Sequence, residues 1–104
     1  MVLHITPENF SEVKKGKAIL DFWAPWCGPC RMFGPIFEET AKGHPDITFA
    51  KVNTEEPANA ALAGQYGIRG IPTAVFLQDG KEVGRFSGAY PKPMFEQEIK
   101  KQFG

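Results

Sequence analysis

Cys27 and Cys30 are the only thiols in the chain, and only Gly28 and Pro29 separate them. Thiols at this spacing can staple a fold, help to hold a metal, or exchange disulfides with a partner. A bridge across two residues closes so short a loop that it restricts the unfolded chain little. Zinc takes four Cys, His or acidic ligands. The two histidines, His4 and His44, fall in different elements and read as surface or packing residues, so no metal site is expected. Exchange needs one sulfur that ionises easily and a second close enough to attack it.

The flanking residues suit exchange. Ala18 to Ala24 is almost continuously apolar and reads as a central strand covered on both faces. Beyond the thiols, Cys30, Phe33, Phe37 and Ala41 recur at helical spacing, and Pro35 is expected to kink that helix rather than end it. Cys27 therefore sits at, or just before, the first helical residue. Free backbone N–H groups and the positive end of the helix dipole stabilise an anion there, which lowers a thiol's pKa. Cys30, on the apolar stripe, should be the more buried of the two. In a two-step reaction Cys27 attacks a partner's disulfide, and Cys30 then attacks the Cys27 sulfur to release the reduced product.

Further elements follow from periodicity and turn signals. Val2 to Ile5 reads as a strand, and Thr6-Pro7 opens a short helix carrying Phe10 and Val13. Ile47 to Asn53 reads as a strand and Ala58 to Tyr66 as a helix. Thr73 to Leu77 and Glu82 to Ser87 form a hairpin through Asp79-Gly80. From Pro93 a last helix puts Phe95, Ile99 and Phe103 on one stripe, with Lys100 and Lys101 near its end. The order βαβαβαββα makes an α/β fold: one mixed sheet with helices on both faces.

The 104 residues, 42% hydrophobic and with nine phenylalanines, suffice for one domain spanning 1–104 and a core needing no staple. Twelve basic residues balance twelve acidic ones, so no nucleic-acid partner is expected. No apolar run approaches the ~20 residues of a membrane span, so no membrane partner is expected either. Met1 to Pro7 has neither the charged nor the apolar region of a signal peptide, which makes a cytoplasmic location the expectation.

Phe22-Trp23-Ala24-Pro25-Trp26-Cys27-Gly28-Pro29-Cys30 and, some forty residues on, Tyr66-Gly67-Ile68-Arg69-Gly70-Ile71-Pro72-Thr73 resemble the two signatures of the thioredoxin family, in the right order. The likeness covers essentially the whole chain. It implies a five-stranded mixed sheet flanked by four α-helices and a redox-active Cys27–Cys30 disulfide. The intervening Gly-Pro is similar to that of the reducing members; oxidants and isomerases usually carry histidine in the second place. It further implies no bound cofactor, disulfide-containing protein substrates, and a thioredoxin reductase that draws on NADPH.

Asp21 is the one charged residue within Ala18 to Ala24, six positions before Cys27. Burial raises a carboxyl pKa. By position alone it reads rather as a structural aspartate bonded to backbone or to Lys51; the resemblance reverses this and implies a proton acceptor for Cys30. Lys51 lies on the Ile47/Phe49 side of its strand, with Asp21 its natural partner, and would tune that carboxyl's proton affinity. Pro72 can simply mark a strand's first residue, whereas the resemblance implies a cis bond after Ile71, next to the thiols. A flat, mostly apolar docking surface of Trp26, Gly28, Pro29, Gly70, Ile71, Pro72, Gly88 and Ala89 is implied with it. Trp23 is expected to pack beneath the site.

Three features depart from the pattern. Ser87 stands where the family usually has an apolar residue. The segment Asn53 to Tyr66 is about two residues longer than usual. Pro25-Trp26 and Val52-Asn53-Thr54-Glu55 resemble a subgroup that carries an N-terminal zinc domain, whose cysteines this chain lacks. The reading is a monomeric reductase of protein disulfides. Its rivals are a redox-independent binding subunit and a disulfide oxidant or isomerase.

Overall fold

A computed structural model describes residues 2–104. Strand β1 (Val2–His4) is followed by a 3-10 turn (Phe10–Lys14), β2 (Lys17–Trp23) and helix α1 (Gly28–Ala41). Next come β3 (Ile47–Asn53), a second 3-10 turn (Pro57–Asn59) and α2 (Ala60–Gln65). The chain closes with β4 (Thr73–Gln78), β5 (Lys81–Ser87) and α3 (Lys92–Phe103). The five strands lie in the order β1-β3-β2-β4-β5, β1, β3 and β2 parallel and the β4–β5 hairpin antiparallel.

The five-stranded mixed sheet agrees with expectation, but among the described residues there are three α-helices, not four. The segment after Thr6-Pro7 makes a 3-10 turn instead of an α-helix. Asn9 explains this locally: its Oδ1 accepts the Thr6 N–H at 2.8 Å and its Nδ2 donates to the His4 carbonyl at 2.9 Å. Such side-chain bonds compete with helical ones. The turn then has only five residues before Gly16, at φ 64°, redirects the chain, and so short a run favours the tighter i→i+3 pattern. Pro35 does not end α1, which continues to Ala41.

β2 lies at the centre, and Ala18 to Phe22 are all fully buried. Its alternation serves two cores. Ile19 joins Phe33, Phe37, Phe49, Phe76, Phe86 and Phe95 between the sheet and helices α1 and α3. Ala18, Leu20 and Phe22 pack with Val13, Val52 and Val75 on the opposite face, under α2. Apolar burial at roughly 25 cal/mol per Å² holds both layers. Asp21, two residues from Ile19 on a pleated strand, is thereby aimed at α1. In register it neighbours Lys51 of β3, which in turn neighbours His4 of β1.

Candidate active site

β2 ends at Trp23, and the turn through Pro25 delivers Cys27 as the N-cap of α1, with extended backbone at φ −85° and ψ 116°. The first turn of a helix leaves N–H groups without intrahelical partners. Here a sulfur takes the role that a Ser or Asp oxygen usually fills: the Cys30 N–H donates to Cys27 Sγ at 3.2 Å. The Arg31 N–H closes the first helical bond on the Cys27 carbonyl at 3.1 Å. Cys27 and Cys30, their Cα atoms 5.2 Å apart, are joined as a disulfide. Both are nearly covered, Cys27 at 6% exposure and Cys30 at 2%. Cys30 is the more buried of the two, as expected, though by a small margin.

The Ile71–Pro72 peptide bond is cis, and the Ile71 carbonyl oxygen lies 3.7 Å from Cys27 Sγ. Ile71 and Trp23 pack against the cluster of Ala24, Cys27 and Cys30. Trp26 is 66% exposed beside the cysteines. Gly28, Pro29 and Gly70 are exposed, Ile71, Gly88 and Ala89 are half-buried, and Pro72 is buried. Pro72 therefore shapes the loop without itself offering a contact face. Its carbonyl accepts the Gly88 N–H at 2.9 Å, which brings the end of β5 to the same place. A groove of about 510 Å³ elsewhere is lined by Lys17, His44, Glu96 and Phe103 and includes neither thiol.

On β2, the Asp21 carboxyl is fully buried and neither oxygen has a hydrogen-bond partner. That leaves both structural alternatives, a backbone bond and a bond to Lys51, without support. Loss of hydration pushes its pKa up from 3.8 to about 7, against the pull of Lys51 and with a further push from Glu38. The Lys51 ammonium is not ion-paired with Asp21, contrary to expectation; it meets Glu38 Oε2 of α1 at 3.6 Å. It also lies 4.5 Å from the centre of the Trp23 ring, a cation–π arrangement. Trp23 packs beside the site as expected, with its indole N–H buried and unpartnered.

Glu38 was missed in the sequence because it reads as an ordinary exposed helix position; the signal was Lys51, a cation on an apolar face that needs a counter-charge. Thr73 was missed as well. Its hydroxyl bonds the Gly70 carbonyl and meets Ser87 Oγ at 2.9 Å, tying the Ile71 loop to β5. His4 is exposed, and His44 is half-buried with Nε2 2.6 Å from Glu96 Oε1. No cluster of His, Cys, Asp and Glu among the described residues could hold a metal ion. No helix among them is long and apolar enough to cross a membrane.

The geometry can bind an anionic sulfur at position 27 and hold a second sulfur within bonding reach, and a buried carboxyl on the strand that leads to them can hold a proton. Comparisons with known proteins point the same way. The thioredoxin family model matches residues 1–101. Thioredoxin of Chlorobaculum thiosulfatiphilum is 44% identical over 103 residues, 95% of this chain and 94% of that one. Thioredoxin 1 of Synechococcus elongatus is 51% identical over 75 residues, 71% of this chain and 68% of that one. The solved structure of Malassezia sympodialis thioredoxin (Mala s 13) is similar at a TM-score of 0.85 and 33% identity, covering 98% of this chain and 90% of that one.

Proposed function

Because the chain belongs to the thioredoxin family, it is a dithiol–disulfide oxidoreductase, and we propose that it runs in the reducing direction on protein disulfides. The observation that carries this reading is the Cys30 N–H at 3.2 Å from Cys27 Sγ, at the N-terminus of α1. A donor held there favours a thiolate over a thiol. With Gly28-Pro29 between the sulfurs there is no histidine cation to stabilise the reduced pair further, which leaves the dithiol the better electron donor.

The Cys27 thiolate attacks one sulfur of a substrate disulfide. That S–S bond breaks, a mixed disulfide forms, and the departing substrate thiolate takes up a proton. The Cys30 thiol then gives its proton to the Asp21 carboxylate, directly or through a water. The new Cys30 thiolate attacks Cys27 Sγ, expelling the second substrate thiolate. Two electrons have moved to the substrate, and Cys27–Cys30 is left as a disulfide. Lys51, held by Glu38, sets how readily Asp21 accepts the proton. The site requires no bound cofactor; a thioredoxin reductase drawing on NADPH returns the two electrons.

Trp26, Gly28, Pro29, Gly70, Ile71, Gly88 and Ala89, shaped by Pro72, form the docking surface. The exposure of Trp26, Gly28, Pro29 and Gly70 fits recognition of an extended segment at an open face. There the Ile71 backbone can pair with it. The whole chain acts as one catalytic domain and as a monomer, since that face must stay open. A reducing compartment such as the cytoplasm suits it, because thiols persist there.

The test is trapping. Cys30→Ser, reduced and mixed with insulin, is expected to accumulate a mixed disulfide through Cys27, which mass spectrometry resolves, whereas the wild type turns over. Titration of the wild type against glutathione is expected to place the pair on the more reducing side. Trapping through position 30, or a pair more oxidising than glutathione, would overturn the proposal.

A further inference from the structure

Ser87 ends the edge strand β5 and is exposed, directly across the ladder from Thr73. The Thr73 hydroxyl donates to the Gly70 carbonyl. A hydroxyl has one proton, so Thr73 has none left for Ser87, 2.9 Å away. The shared bond must run from the Ser87 O–H to Thr73 Oγ1. The direction of the whole relay, Ser87 to Thr73 to Gly70, is thereby fixed. Ser87 has spent its proton inward and keeps its lone pairs outward, and no protein donor reaches it among the described residues. On an exposed residue, an oxygen that can accept but not donate therefore stands beside the loop that places Ile71 against Cys27.

That loop is held from β5 at both ends, so the oxygen is well positioned. At the near end the Gly88 N–H bonds the Pro72 carbonyl at 2.9 Å. At the far end Arg85 donates to the Tyr66 carbonyl at 2.7 Å and forks onto Glu82 at 2.6 and 2.8 Å. A bulge at Val83 makes the fork possible, because β4 pairs Phe76 with Gly84 but Leu77 with Glu82. In a regular strand, residues three apart would face opposite sides of the sheet.

We propose that Ser87 is a specificity-determining residue, whose oxygen accepts a hydrogen bond from a neutral donor next to the disulfide of an incoming segment. Arg31 and Arg69, both exposed and next in sequence to Cys30 and Gly70, put positive charge on two of the segments that form the docking surface, which disfavours a lysine or arginine donor. The preferred substrate class is thus a disulfide flanked by an amide- or hydroxyl-bearing residue. The inference rests on the docking surface described above.

Disulfide-cyclised peptides, paired so that each position flanking a cysteine carries either glutamine or its near-isostere methionine, provide the test. For the wild type, kcat/KM is expected to favour glutamine at one or more positions by about three- to tenfold, the worth of one neutral hydrogen bond. Ser87→Ala is expected to bring those ratios to about one, and Ser87→Thr to retain them. The proposal is overturned if the wild type shows no preference at any position, or if Ser87→Ala keeps every ratio. Ile71→Asp separates the two ideas: unchanged kcat/KM on all peptides with this variant defeats the docking surface, whatever Ser87→Ala does.

Discussion

Disulfide reduction by Cys27→Ser is expected to fall at least about a thousandfold, to the rate of the blank, while the protein stays folded. A serine hydroxyl is un-ionised near neutral pH and does not open a disulfide, so the first step has no nucleophile. The fold is spared for a reason visible in the site. Cys27 caps α1 by accepting the Cys30 N–H, and serine is among the best residues for that position. Relative to the oxidised wild type the variant also lacks the bridge, worth roughly 2 kcal/mol by loop entropy for so short a closure. Reduced wild type and variant should therefore melt together. Insulin reduction read beside thermal melting makes the comparison. Retained turnover in the variant removes Cys27 from the mechanism.

Asp21→Asn is expected to raise stability at pH 8, leave it little changed near pH 4, and slow product release. The folded-state pKa is about 7 against 3.8 for the free carboxyl, chiefly through burial. Below 3.8 both states hold the proton. Between 3.8 and about 7 the folded state holds a proton that the unfolded chain has released, so stability falls as pH rises and then levels off. The integrated loss is on the order of 4 kcal/mol. An asparagine removes that loss, and it buries a polar group with no partner much as the protonated carboxyl does. The gain at pH 8 should thus approach the whole of it, on the order of 4 kcal/mol. Urea melts at pH 4 and pH 8 measure it.

A stability gain alone is what any buried carboxyl would give, so the proton role needs a kinetic readout. Without an acceptor for the Cys30 proton, resolution of the mixed disulfide should slow by roughly a hundredfold, the lower end for general base catalysis. The group with pKa near 7 should also vanish from the pH–rate profile. Unchanged turnover with an unchanged profile would leave Asp21 a structural residue.

Much of this architecture could be read from local patterns. Ile47–Asn53 has the limits its alternation indicates, and Asp79-Gly80 turns the hairpin as its residue types require. The cap at Cys27 was legible because an apolar strand runs into a helical stripe with one turn between. Three features were not. The first helix is a 3-10 turn because Asn9 bonds back to His4 and Thr6, a local competition that apolar spacing does not reveal. Glu82 and Arg85 meet only because of the bulge between them, and no residue type announces it. Lys51 was rightly placed near Asp21 by strand register, yet its charge goes to Glu38 because α1 crosses above it. That crossing is tertiary, and strand periodicity does not reveal it.

One consequence concerns Gly34, which faces the ammonium of Lys51 from α1. A methyl group placed on Gly34 would stand 3.3 Å from that nitrogen, a squeeze that a slight yielding of the lysine can absorb. Anything bulkier must evict it. Variation at residue 34 is therefore not independent of residue 51. A large substituent there should shift the acidity of a carboxyl on a different strand, without altering a single atom of β2.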